Sequence, residues 1–252
     1  MCFEIDALPP IPVIAGAAID SEDLVLEAAD GNKFAAFSAR ASEPLGPAVV
    51  VLPDVRGLFR FYEELALRFA ERGYDSIAFD YFGRTAGVGK RDAEFDFMPE
   101  VRQTTADGIN ADTRAAVEAL RKRAGFAYRK VFTIGFCYGG SNSWKQASAG
   151  HGLAGAIGFY GNPTREFPAP SPIAVVDRAE CPILGLLGGT DQGIPKEEVD
   201  KYDAALTAAG KEHVLVTYHG APHSFFDRTY EEHAAASADA WGRVLGFIEA
   251  HS

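Results

Sequence analysis

Three residues in this 252-residue chain have the types and the spacing for nucleophilic catalysis. The first is Cys137, in the run Val131-Phe-Thr-Ile-Gly-Phe-Cys-Tyr-Gly-Gly-Ser141, where a β-branched apolar segment breaks at Gly135-Phe136-Cys137-Tyr138-Gly139 and small or polar residues follow. That order is a strand, a sharp turn and a helix, with a thiol at the apex of the turn. Glycines flank the apex because the backbone there is strained and a side chain at either position would meet the neighbouring strand or helix. At a helix N-terminus the free N–H groups and the helix dipole favour the thiolate. The other two residues are Asp191, in Gly188-Gly-Thr-Asp191, and His223, in Gly220-Ala-Pro-His223-Ser-Phe225; each follows an apolar strand. A thiol needs a base to manage its proton, and the base needs an acid to orient it. Nucleophile, acid and histidine occur in that chain order, each at the end of a strand.

Every one of the three has a structural alternative. Cys137 also suits a buried thiol on an ordinary strand-to-helix turn. Asp191 suits a turn or helix cap before Ile194-Pro195. His219 competes with His223 for the base, but it still belongs to the alternation of its strand, whereas His223 has left it. The conjunction of the three at strand ends favours catalysis.

The elements that must carry these residues are legible as strands and helices in alternation. After Pro9-Pro10-Ile11-Pro12, which suits an extended arm over residues 1–20, Asp23 to Ala29 and Lys33 to Arg40 form a hairpin about Asp30-Gly31-Asn32. Ala48 to Leu52 is apolar throughout, as in a strand buried on both faces. A helix over Tyr62 to Arg72 closes at Gly73, and the strand Ser76 to Asp80 leads into a long loop up to Phe97. Helices near Pro99 to Arg123, strands at Lys130 to Phe136, Leu153 to Tyr160, Ile183 to Leu187 and His213 to Tyr218, a helix from Lys196 to Ala209 and a last one from Tyr230 to Ala250 complete the pattern. It predicts a single α/β domain over 1–252, a three-layer αβα sandwich on a mostly parallel sheet of about eight strands with an antiparallel N-terminal hairpin. Sites in such sheets form at the carboxyl ends of strands.

Composition narrows the partners. A hydrophobic content of 47% supports one large core. The net charge of -11 argues against nucleic acid or an anionic membrane surface. Three cysteines, without metal-ligand spacing, suit a reducing cytosol. The N-terminal segment lacks the basic region and apolar core of a signal peptide, no run of about 18 apolar residues is present, and the expected location is cytoplasmic.

Over nearly its whole length the chain resembles the dienelactone hydrolase (carboxymethylenebutenolidase) family, α/β-hydrolases with a Cys-Asp-His triad. Gly-Phe-Cys-Tyr-Gly-Gly is the specific part of the match, with Gly-Gly-Thr-Asp and Gly-Ala-Pro-His-Ser-Phe beside it. The resemblance implies that Cys137, Asp191 and His223 form the triad, with no cofactor and no metal. It places Asp54, in Leu52-Pro-Asp54-Val-Arg56-Gly57, where the family has a thiol-activating acid, usually Glu. Backbone N–H groups of Val55 and Tyr138 would form the oxyanion hole, typically worth about 3 kcal/mol each. For substrate binding the resemblance points to Arg84, after Asp80, and to Arg228, one residue later than the family's second arginine because position 227 is Asp. Arg56 reads as a solvated surface residue. Phe82, Phe95, Phe97, Tyr138, Trp144, Phe159, Tyr160 and Phe225 are candidate walls of an apolar pocket. The expected reaction is hydrolysis of an ester or lactone, anionic in the family's pattern, through an acyl-cysteine; the expected assembly is a monomer or weak homodimer. A general carboxylesterase or thioesterase for neutral substrates, and a non-catalytic scaffold, are the alternatives.

Overall fold

In the computed structural model, which describes all residues but 1–6, 18, 124 and 126–128, the apolar runs become strands and the amphipathic stretches cover them. The strands are β1 (Ile19–Glu27), β2 (Lys33–Ala41), β3 (Ala48–Leu52), β4 (Asp75–Phe79), β5 (Val131–Phe136), β6 (Gly155–Phe159), β7 (Ile183–Gly188) and β8 (His213–Tyr218). The helices are α1 (Arg60–Ala70), the short α2 (Gly83–Ala86) and α3 (Phe97–Val101), α4 (Ala106–Arg121), α5 (Tyr138–Gln146), α6 (Lys196–Ala208) and α7 (Ala234–Ala250). A 3-10 helix over Pro172–Arg178, unforeseen in the sequence, precedes β7. The helices expected near Pro99 to Arg123 are α3 and α4: α3 ends at Val101, and Thr105 caps α4, its side chain accepting from the Gly108 N–H.

The sheet has eight strands in the order β1-β2-β4-β3-β5-β6-β7-β8. The β1–β2 and β2–β4 pairs are antiparallel, and all others are parallel. Within the parallel part, every residue of β3 through β7 is buried, which is why these segments read as unbroken apolar runs. Alternate side chains feed two cores. Val49 and Val51 pack in one with Phe61, Tyr62 and Phe69 of α1 and Trp241 and Val244 of α7; Ala48, Val50 and Leu52 pack in the other with Ile109, Val117 and Leu120 of α4. On the arm, Ile11 is buried, and the Ile14 N–H donates to Glu71. Residues 1–6 of that arm lie outside the described residues. Among the described residues no helix is long and apolar enough to cross a membrane.

The chain leaves β3 toward β4 on one side and returns to β5 on the other. The carboxyl ends of β3 and β5, paired through Leu52 and Gly135, therefore flank a crevice where the strand order reverses. The sequences beyond them are Pro53-Asp54-Val55 and Cys137-Tyr138.

Candidate active site

Cys137 stands between β5 and α5 with φ 55° and ψ -112°, a conformation that costs a non-glycine residue of order 1–3 kcal/mol. The flanking glycines make it possible: a Cβ at Gly135 would lie 1.9 Å from the Gly139 carbonyl oxygen, and one at Gly139 would lie 2.1 Å from that of Leu52. The turn is held by the Cys137 N–H donating to the Phe159 carbonyl at 3.0 Å. The contrast with Cys181 is chemical: that thiol is buried and desolvation pushes it up to about 12, whereas Cys137 lines a cavity of about 260 Å3.

His223 and Asp191 meet at that cavity. The loop after β8 carries His223, the loop after β7 carries Asp191, and His223 Nδ1 lies 2.5 Å from Asp191 Oδ2. Asp191 Oδ1 accepts from the Gly193 N–H at 2.8 Å. One carboxylate thus meets both the turn, at the Gly193 N–H, and the histidine. Nδ1 being engaged, Nε2 is the nitrogen suited to proton transfer. His219 is exposed and does not line the cavity.

Val55 and Tyr138 also line this cavity. Tyr138 opens α5, where N–H groups have no intrahelical acceptor. Its hydroxyl lies 2.5 Å from that of Thr104, between α3 and α4, and burial pushes it up to about 12.

Asp54 is wholly buried and engaged locally. Its Oδ2 accepts from the Arg56 guanidinium at 2.9 Å, its Oδ1 from the Arg56 backbone N–H at 2.9 Å, and its own N–H donates to the Tyr62 hydroxyl at 2.9 Å. Arg56 is 5% exposed, which corrects its reading as a surface residue: the unneutralised carboxylate beside it draws it inward.

Neither arginine expected from the resemblance lines the cavity. Arg84 bridges Asp112 at 2.5 Å and Asp30 at 2.6 Å, fastening α2 to α4 and to the β1–β2 turn. Asp80 is instead paired with Arg91 at 2.8 Å. Arg228 is exposed, and among the described residues it gives only its backbone N–H, to Asp227. The arginines lining the cavity are Arg102, just past α3, and Arg165, on the loop after β6. No ion pair engages either among the described residues. Nothing in their local sequence marked them, since both stand in loops whose paths only the fold defines.

Of the aromatics proposed as walls, Tyr138 and Tyr160 line the cavity, joined by Phe167, Met98, Val101 and Ile194. Phe82, Trp144, Phe159 and Phe225 are core residues instead. A larger cleft, about 580 Å3, lies at the amino ends of the parallel strands around Asp75, Arg123 and Arg129. There Asp75 pairs with Arg123 and Arg129.

The sheet order and the sharp turn at Cys137 define an α/β-hydrolase fold. The family model for the dienelactone hydrolase family matches residues 34–252, and the chain belongs to that family. It is 30% identical over 230 residues to the "Putative carboxymethylenebutenolidase" of Escherichia coli strain K12, covering 87% of this chain and 83% of that protein. It is 28% identical over 261 residues to the carboxymethylenebutenolidase of Rhodococcus opacus, covering 99% and 96%. A crystal structure of a "Putative Dienelactone Hydrolase" from Klebsiella pneumoniae subsp. pneumoniae MGH 78578 superposes with a TM-score of 0.82 at 26% identity, covering 92% of this chain and 99% of that one. The protein is accordingly a hydrolase of ester or lactone bonds.

Proposed function

We propose that the protein hydrolyses a small anionic ester or lactone through an acyl-cysteine formed on Cys137, with His223 as base and Asp191 as its orienting acid. The observation that carries this reading is the 2.5 Å contact of His223 with Asp191 at the rim of a cavity that also holds Cys137. His223 takes the thiol proton, and the sulfur adds to the carbonyl carbon. The oxyanion is met by the N–H groups of Val55 and Tyr138. When the intermediate collapses, the carbon–oxygen bond breaks and the alcohol oxygen leaves with the proton from His223. Water then attacks the thioester, His223 accepts its proton, and the acid and free thiol are restored. Asp54, with its charge engaged by Arg56, acts on the thiol through the shape and field of the loop that carries Val55.

Arg102 and Arg165 support a carboxylate on the substrate, since a planar guanidinium suits a planar anion. The reading extends to one domain acting without cofactor or metal, in the cytoplasm, as a monomer or weak homodimer.

Labelling of Cys137 by iodoacetamide near neutral pH is expected to be fast and to be lost in His223→Ala, and Cys137→Ala is expected to abolish turnover. Cys137→Ala that retains ester hydrolysis refutes the mechanism. For the substrate charge, Arg102→Ala and Arg165→Ala should raise KM for a carboxylate-bearing lactone by about tenfold or more each, the scale of a charge-assisted hydrogen bond, and leave a neutral aryl ester unaffected. Equal losses on both would favour a neutral-ester carboxylesterase.

A further inference from the structure

Position 227 carries a buried aspartate, and the structure surrounds it with parts of the site. Asp227 is 1% exposed and lies on the turn that follows His223. Its Oδ2 accepts from the Tyr160 hydroxyl at 2.6 Å, and its Oδ1 accepts from the Arg228 N–H. Tyr160, directly after β6, is fully buried and borders the cavity, and its φ of 37° is strained for a residue with a side chain. The Tyr160 ring packs on the His223 ring, with centroids 4.9 Å apart and planes at 53°. A carboxylate, a phenol and the imidazole of His223 therefore stand in series, and Asp191 holds the same imidazole from Nδ1.

We infer that Asp227 and Tyr160 form a positioning pair for His223: the carboxylate fixes the phenol, and the phenol ring fixes the imidazole in its working orientation over the cavity. The inference rests on the triad reading above. The phenol ring meets the imidazole at a tilt, and together with Asp191 on Nδ1 this contact restricts rotation of the imidazole. Strain at Tyr160 needs a compensating contact, and the 2.6 Å bond to Asp227 supplies it. The groups acting on Asp227 are Tyr160, just after β6, the backbone N–H of the adjacent Arg228, Asp54 from the loop after β3, and His223 from the loop after β8. Burial pushes the Asp227 carboxyl up to about 7, opposed by the Tyr160 hydrogen bond and assisted by the charge of Asp54. Around neutrality the group thus passes between a neutral and a charged acceptor for the same phenol.

The test compares Asp227→Leu, Asp227→Asn, Tyr160→Phe and the double variant Tyr160→Phe/Asp227→Leu with the wild type. Each is assayed on an activated aryl ester, with rates expressed per Cys137 titrated in the acylation burst so that unfolded protein is not counted. Asp227→Leu and Tyr160→Phe are each expected to lower kcat by roughly tenfold with KM within about twofold, as misorientation of a catalytic base does. The double variant is expected to fall no further than either single one, because both break the same link. Asp227→Asn, which keeps an acceptor for the phenol, is expected to restore kcat to within about threefold of wild type while moving the midpoint of the pH profile. Wild-type rates in Asp227→Leu and Tyr160→Phe overturn the pair, as do losses that add in the double variant. If Cys137→Ala and His223→Ala, assayed on the same ester per mole of folded protein, are inactive, such a result removes the pair alone; if either remains active, the triad and the pair fall together.

Discussion

At the scale of single residues, the site is built from groups whose surroundings decide their chemistry. Cys137 and Cys181 are the same side chain, one at a strained turn facing a cavity and the other in the core with its thiol raised to about 12. Asp191 and Asp227 differ in a similar way: the first is paired with an imidazole, the second with a phenol. Asp227 makes a prediction about stability. Its folded carboxyl is raised to about 7, above the unfolded value of 3.8, so the folded state binds the proton more tightly. That contribution is fully present below about pH 4 and is lost as pH rises through about 7, amounting to a few kcal/mol. Asp227→Asn removes the titration. Urea melts should therefore show the variant gaining stability relative to wild type from pH 5 to pH 8, and a constant difference across that range would refute this.

At the scale of elements, the loops bring to the cavity what the strands cannot. The loop after β6 carries Arg165 and Phe167, and it is fastened at several points. Ser141 on α5 donates to the Asn162 carbonyl at 2.9 Å, the Asn162 side chain donates to the Gly193 carbonyl at 3.0 Å, and Lys145 Nζ donates to the Pro168 carbonyl at 2.8 Å. Lys145 is buried, and desolvation lowers it to about 8. Its one described acceptor belongs to this loop, so Lys145→Met, which keeps the stem and drops the donor, should loosen 164–170 without disturbing α5. The expected outcome is faster amide exchange in that loop and a KM higher by about threefold to tenfold, with kcat changed less than twofold; the size follows from one lost hydrogen bond to a charged group. A fall in kcat at constant KM would instead tie Lys145 to the nucleophile helix.

At the scale of the whole molecule, the two ends of the sheet are specialised. The carboxyl ends carry Cys137, Asp191 and His223, the proposed catalytic groups. At the amino end, Asp75 accepts from the Ala41 N–H at 2.9 Å and pairs with Arg129 at 2.7 Å and with Arg123, joining β2, β4 and the approach to β5. Asp75 is 1% exposed, and removing one member of a buried ionic cluster typically costs about 3–5 kcal/mol. Asp75→Ala should lower Tm by about 10 °C, as expected for a chain of this size, and leave kcat per titrated Cys137 within about twofold of wild type. A large kcat loss in the folded fraction would connect the two ends.

Much of this was legible in the chain. The alternation of apolar strands and amphipathic helices determined the sheet, because a strand buried on both faces has to be apolar throughout. The glycines around Cys137 announced the turn, because no other residue fits between β3, β5 and α5. The chain order of Cys137, Asp191 and His223 was likewise a local matter, each residue following a recognisable strand. What only the tertiary structure decided concerns groups whose neighbours are distant in sequence. Arg84, recommended by its motif, is drawn to Asp30 and Asp112, which lie 54 and 28 residues away. Arg102 and Arg165 reach the cavity from separate loops, and Asp227 finds its partner Tyr160 at a separation of 67 residues. Hydrophobic pattern is written residue by residue along the chain, but which charge meets which is settled by Coulomb attraction and desolvation after the chain has closed, and that is a property of the fold.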